Sequence, residues 1–264
     1  MKRIVSIGGF LAVVLAAVTL MAAVRRPGNI RVAGMPGPWA SNGYAVVELF
    51  TSEGCSSCPA ADELVARVQK EDKDLPVYVL AFHVDYWDRL GWKDVFSSAG
   101  YTERQRQYAN WLHLESVYTP QIVVNGKKEF VGSQAGLLRS TIEKSLQGPM
   151  SSLRLSLDHL SVKDGKLGWN YRVEGATQQL SLVVALVQRS ATTNVKSGEN
   201  GGHTLSHVQI VRNFESDRLN GRTSGDGRLA MPAGIKEEDV ELIAFLQDSG
   251  SGEILAATRA HTMN

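Results

Sequence analysis

Cysteine is almost absent from this sequence. The 264 residues include two, Cys55 and Cys58, so no disulfide framework can replace a hydrophobic core and the fold must rest on apolar packing. An excess of one charge is lacking too, since 28 Lys and Arg against 27 Asp and Glu leave a formal net charge of +1. Without a basic excess, or basic residues interleaved with aromatics, the chain has little with which to bind nucleic acid. Internal repeats and low-complexity tracts are also missing. With 43% hydrophobic residues and a length that suits one large or two ordinary domains, the chain reads as globular.

One stretch lacks charge altogether. IVSIGGFLAVVLAAVTLMAAV, residues 4–24, lies between Lys2-Arg3 and Arg25-Arg26. It is longer than an ordinary signal-peptide core and about long enough to cross a bilayer. A cut after Ala23 would place Met21 at the −3 position, which favours an uncleaved anchor over a cleaved signal. Basic residues at both ends cancel the bias that would orient it, and no cysteine follows to carry a lipid. Residues 1–26 are therefore expected to be a membrane anchor or signal segment, and the Pro- and Gly-rich residues 27–43 a linker.

Beyond the linker the pattern is strand, helix, strand. YAVVELF reads as a strand, PAADELVARVQKE as a helix, and LPVYVLAFHVDYW as a strand covered on both faces, because it shows no alternation. Residues 97–116 carry aromatics at helical spacing. YTPQIVVNGKKEFVG reads as a hairpin turning at Asn125-Gly126, and SQAGLLRSTIEKSL as a helix stopped by Gly148-Pro149. From residue 151 onward alternating runs dominate, beginning with a hairpin around Asp164-Gly165. The expectation is an α/β domain over residues 44–148 and a small all-β, sandwich-like domain over residues 151–264.

The cysteines form a C-x-x-C motif in TSEGCSSCPAAD. A zinc site would need four ligands, and His203 and His207, the histidines that could complete one, lie far along the chain. Copper(I) is less demanding, since two thiolates can hold it. A disulfide closing so short a loop stabilises little. A dithiol/disulfide redox couple suits the context better. The pair follows a strand and precedes a helix opened by Pro59, which places Cys55 near the helix N-terminus, where a thiolate is favoured. Cys58, one turn further in, would resolve a mixed disulfide.

VELFTSEGCSSC and YTPQIVVNGKKEFVGS together resemble the thioredoxin and glutaredoxin superfamily over residues 44–147. More closely, ELFTSEGCSSCPAAD, FHVDYWDRLGWKD, YTPQIVVNG and GENGGHTLSHVQIVR are similar to an exported bacterial family, domain of unknown function 1223. The resemblance implies a thioredoxin-like fold, with the active cysteines at Cys55 and Cys58 and a cis-proline at Pro120 after Thr119. It also implies a periplasmic or otherwise extracytoplasmic location, membrane-anchored through residues 4–24 or secreted. Residues 88–116 are longer than the matching part of ordinary thioredoxins and would lie beside the site. Gly132-Ser133 stands where glutaredoxins hold a glutathione carboxylate, although basic partners nearby are few.

Three further residues are candidates. Glu48, in the strand leading to the cysteines, could accept a proton from Cys58 or simply face solvent. His83 and Asp85 alternate at the end of the second strand, where α/β folds place ligand clefts. They could form an acid–base or metal pair, or His83 could be a hydrogen-bonded structural histidine. The expected whole is an α/β thioredoxin-like domain followed by a small all-β C-terminal domain. It would exchange disulfides with a protein thiol or disulfide substrate and a redox partner, without a cofactor. A copper(I)-handling or adaptor protein with the same fold is the alternative.

Overall fold

The computed structural model describes residues 43–149 and 151–260. The uncharged run 4–24, and all of the linker except its last residue, lie outside the described residues. Among the described residues no helix is long and apolar enough to cross a membrane.

Strand β1 (Ala45–Thr51) and strand β2 (Val77–His83) run parallel and are buried at every position. Helix α1 (Pro59–Glu71) joins them and turns Ala61, Leu64, Val65 and Val68 inward. Its first residue, Pro59, has no N–H to leave unsatisfied. Helix α2 (Ala99–Trp111) begins after Ser98, whose hydroxyl accepts from the Gly100 N–H. Strands β3 (Gln121–Val124) and β4 (Lys128–Val131) are joined by Asn125 and Gly126 at φ 50° and 67°. Two positive φ values in succession make the turn whose twist matches a hairpin. Helix α3 (Ala135–Leu146) follows.

The second half is all strand apart from one short turn of helix. It comprises β5 (Arg154–Lys163), β6 (Lys166–Glu174), β7 (Leu180–Asn194), β8 (Thr204–Arg218), β9 (Ser224–Ala230), β10 (Val240–Asp248) and β11 (Ile254–Ala260). Strands β5, β6 and β9 form a separate sheet of three. The others do not pair among themselves alone. They join one eight-stranded mixed sheet in the order β11-β10-β7-β8-β2-β1-β3-β4.

That order overturns the expected fold class, a thioredoxin-like α/β domain followed by a separate all-β domain. The join is β8 lying parallel to β2, with Ala81 opposite Ile210. It occupies the edge of β2 that a self-contained first domain would leave free. Burial on both faces keeps the two halves together. Helix α2 packs Tyr101 and Tyr108 over Phe50 and Phe82 from one half, and over Val183, Val211, Ile243 and Phe245 from the other. Residues 88–116 are thus the clasp across the sheet. Helices α1 and α3 cover the opposite face of β1 to β3. The three-stranded sheet covers the corresponding part of β7 and β10 through Leu157, Leu167, Trp169 and Leu229. The hairpin tip is pressed on the far half as well, because a Cβ at Gly126 would stand 1.9 Å from the Gly252 carbonyl oxygen.

Candidate functional site

Between β1 and α1 the chain makes a tight turn that holds both cysteines, joined as a disulfide. The Cys58 N–H donates to the Cys55 carbonyl at 3.1 Å, and the Cys58 carbonyl accepts from Ala61 and Asp62. Cys58 is therefore the N-cap of α1 and Cys55 lies one turn before the helix, whereas the sequence reading puts Cys55 at the helix end. Burial differs from expectation too. Cys55 is 1% exposed and Cys58 0%, with only Ser56 and Ser57 between them facing solvent.

Beside this turn the Thr119–Pro120 peptide is cis. Pro120 accepts the Gly132 N–H at 2.8 Å, so that N–H is already taken and is not offered to a ligand carboxylate. A Cβ on Gly132 would lie 3.0 Å from both Pro120 Cβ and Ala61 Cβ. The missing side chain lets the proline end of β3 approach the first turn of α1. The Thr119 hydroxyl accepts from Trp87 Nε1 at 2.8 Å, and a Cβ on Gly54 would lie 3.2 Å from Trp87 Cβ.

The loop joining β7 to β8 lies over the cysteine turn. Asn200 Nδ2 donates to the Glu53 and Cys55 carbonyls at 2.8 and 3.0 Å, and a Glu199 carboxylate oxygen accepts the Ser56 N–H at 2.9 Å. Ser197 donates to the Gly91 carbonyl, and Gly198 packs against Trp92. This loop is the GENGGH stretch. Asn200→Ala removes two buried bonds worth about 1–3 kcal/mol together. It is therefore expected to speed reduction of the Cys55–Cys58 disulfide by a soluble phosphine about 5- to 150-fold, because opening of the cover limits access. Trapping by alkylation and mass measurement checks this, and an unchanged rate would mean that the loop is not what shields the pair.

Beneath the turn lies a buried cluster of ionisable groups drawn from both halves. His207 of β8 sits between two carboxylates, with Nε2 3.4 Å from Glu53 Oε1 and Nδ1 3.6 Å from Asp62 Oδ1. Burial works to depress its pKa, but the neighbouring Asp62 and Glu53 carboxylates outweigh it and raise the imidazole to about 9. His83, at the end of β2, packs edge to face on His207 with ring centroids 4.9 Å apart. Its Nδ1 lies 2.7 Å from Asp94 Oδ2. Burial pushes the Asp94 carboxyl up, but the His83 charge and hydrogen bond, with the N–H groups of Glu53 and Phe96, hold it below its ordinary value.

The structure separates several residues that the sequence suggests as partners. Asp85 does not meet His83, because its carboxylate takes the Thr102 hydroxyl at 2.5 Å. Glu48 neither faces solvent nor serves the cysteines. Its oxygens accept from Arg104 Nε and Nη2 at 2.5 and 2.9 Å, and from the Tyr108 hydroxyl. His203 stays in the loop, exposed, while His207 is buried in β8. Glu53, Asp62 and Asp94 are members of the cluster that sequence reasoning misses. One signal was available for β8, where the polar residues His207 and Gln209 take the inward positions of the strand.

A family model described as "Protein of unknown function (DUF1223)" matches residues 46–247. The crystal structure of protein AGR_C_4864 from Agrobacterium tumefaciens is similar at TM-score 0.63 and 29% identity, over 83% of this chain and 96% of that one. A β-glucosidase from Kluyveromyces marxianus aligns at TM-score 0.22 and 16% identity, over 48% of this chain and 16% of that one, too weakly to carry an argument. No curated protein matches the sequence.

Proposed function

The chain belongs to the DUF1223 family, a family of unknown function, and from the chemistry of its own site we propose that it is a thiol–disulfide oxidoreductase. The observation that carries this reading is the Cys55–Cys58 disulfide in the turn that caps α1, next to cis-Pro120. The proposed kinship with thioredoxins and glutaredoxins rests on these elements and not on the sheet as a whole.

In the reducing direction the Cys55 thiolate attacks one sulfur of a substrate disulfide and expels the other as a thiolate. Cys58 then attacks the Cys55 sulfur, closes the intramolecular disulfide and releases the second substrate thiol. Two electrons and two protons pass from the pair to the substrate, and a partner dithiol restores the pair. The oxidising direction is the reverse. Pro120, with no N–H to donate, would leave its side of the groove open to a substrate backbone. The cover formed by Glu199 and Asn200 would have to lift for a protein substrate to reach Cys55, which selects for partners able to displace it. The uncharged run 4–24 supports an extracytoplasmic setting, where such chemistry is in demand.

Insulin reduction with dithiothreitol as electron source tests the proposal. Wild type is expected to shorten the lag before precipitation, and Cys55→Ser to return it to the uncatalysed value. Equal lags for the two proteins would remove the oxidoreductase reading.

A further inference from the structure

The buried cluster is built like a metal site, and the disulfide chemistry makes no use of it. Each of three side chains has one polar atom held by an outer partner and a second atom left over. Asp62 Oδ2 accepts from the Thr51 hydroxyl at 2.9 Å, which leaves Oδ1 toward His207. Glu53 Oε2 accepts from Trp92 Nε1 at 2.7 Å, and Oε1 has no hydrogen-bond partner among the described residues. His83 Nδ1 is paired with Asp94, and its Nε2 is likewise without a partner although the residue is 0% exposed.

A protonated His207 between Glu53 and Asp62 would account for the two carboxylates. It does nothing for His83 Nε2, a buried lone pair or N–H whose isolation is costly. A cation held by Asp62, His83 and His207 gives His83 Nε2 a partner, and it leaves Glu53 Oε1 to the other imidazole nitrogen, His207 Nε2, 3.4 Å away. The donor atoms of Asp62, His83 and His207 lie within 4.8 Å of one another. Zinc bonds of about 2.0–2.1 Å in a tetrahedron put donors about 3.3 Å apart, a contraction within the reach of side-chain rotation. The Asp94–His83 pair matches the carboxylate–histidine arrangement that orients metal-bound imidazoles.

We infer that Asp62, His83 and His207 bind one divalent transition-metal ion of the zinc type, with Glu53 behind His207 as its outer partner. Two imidazoles and one carboxylate are a borderline donor set that suits zinc, and cobalt(II) as its spectroscopic stand-in. Three protein ligands leave the fourth position to a further donor such as water, and all three residues are buried. The ion would pin α1 and the end of β2, from one half, to β8 from the other. This site is distinct from copper(I) held by the cysteines, because neither thiol is a ligand.

The test uses the full chain, stripped with a chelator and reloaded with zinc alone. One equivalent per chain is expected by elemental mass spectrometry. A concentration about 100 times the Kd should raise the wild-type melting midpoint by about 5–10 °C. Cobalt(II) should give the intense visible bands of a four-coordinate ion. Asp94→Asn, which leaves all three ligands in place, should weaken binding about 10- to 100-fold, and His83→Ala should abolish it. The Cys55→Ser/Cys58→Ser double variant should keep its zinc, which separates this site from the redox reading. No bound zinc and no midpoint shift in wild type would overturn the inference even if every variant failed to fold. So would loss of zinc with the cysteines, or zinc retained by His83→Ala.

Discussion

Arg104→Met is expected to destabilise the protein by about 3–5 kcal/mol, with a fall in Tm of roughly 6–20 °C. Arg104 is a fully buried guanidinium that lies 5.5 Å from the Phe82 ring and 5.3 Å from the Phe245 ring. Burial works against its charge, but Glu48 and Tyr108 outweigh it and keep the group ionised. Methionine fills much of the space and leaves the Glu48 carboxylate at 0% exposure without its counter-charge. The cost is that of a stranded buried ion rather than of a lost attraction. The double variant Arg104→Met/Glu48→Leu should therefore recover most of the loss, since an apolar replacement of a buried pair is often neutral. Urea unfolding of the two proteins checks this. A single variant as stable as wild type would mean that water reaches Glu48.

Cys58→Ser is expected to accumulate mixed disulfides with protein substrates, whereas Cys55→Ser is expected to form none. Once Cys55 is bonded to a substrate, Cys58 is the sulfur within reach to release it, through the turn they share. Serine in its place cannot perform the exchange, so the intermediate persists. Non-reducing gels followed by mass mapping of the linked cysteine read the outcome as all or nothing. Adducts on Cys58 in the Cys55→Ser protein would reverse the roles. Equal burial of the two cysteines makes this the test that assigns them.

The local elements were legible because local chemistry encodes them. Pro59 opens α1, Asn125-Gly126 turns the β3–β4 hairpin, and unbroken apolar runs mark β1 and β2 as strands covered on both faces. The same signal stood in SLVVALV and VELIAFLQ, which are buried throughout in β7 and β10. A sandwich strand with one wet face would have alternated there, and the missing alternation was the sign of a shared sheet. The pairing of β8 with β2 was not legible, because register between distant strands is set by tertiary packing that no short window contains. The site divides in the same way. Cys55, Cys58 and Pro120 belong to local motifs. The meeting of His207 with Glu53 and Asp62, and of Arg104 with Glu48, follows from that distant pairing and from α2 lying across it.

The place of β8 in the sheet also sets a waiting time during synthesis. Residue 81 of β2 pairs with residue 210, so 129 more residues must be made before that edge can close. At about 5–20 residues per second this takes about 6–26 s. For that interval β2 presents unpaired backbone groups on an apolar strand, a template for association with other chains. The cysteine turn is equally uncovered until Asn200 has been made. A nascent chain of this protein is thus a natural client for a holding chaperone, and its cysteines meet the surrounding redox environment before their own shield exists.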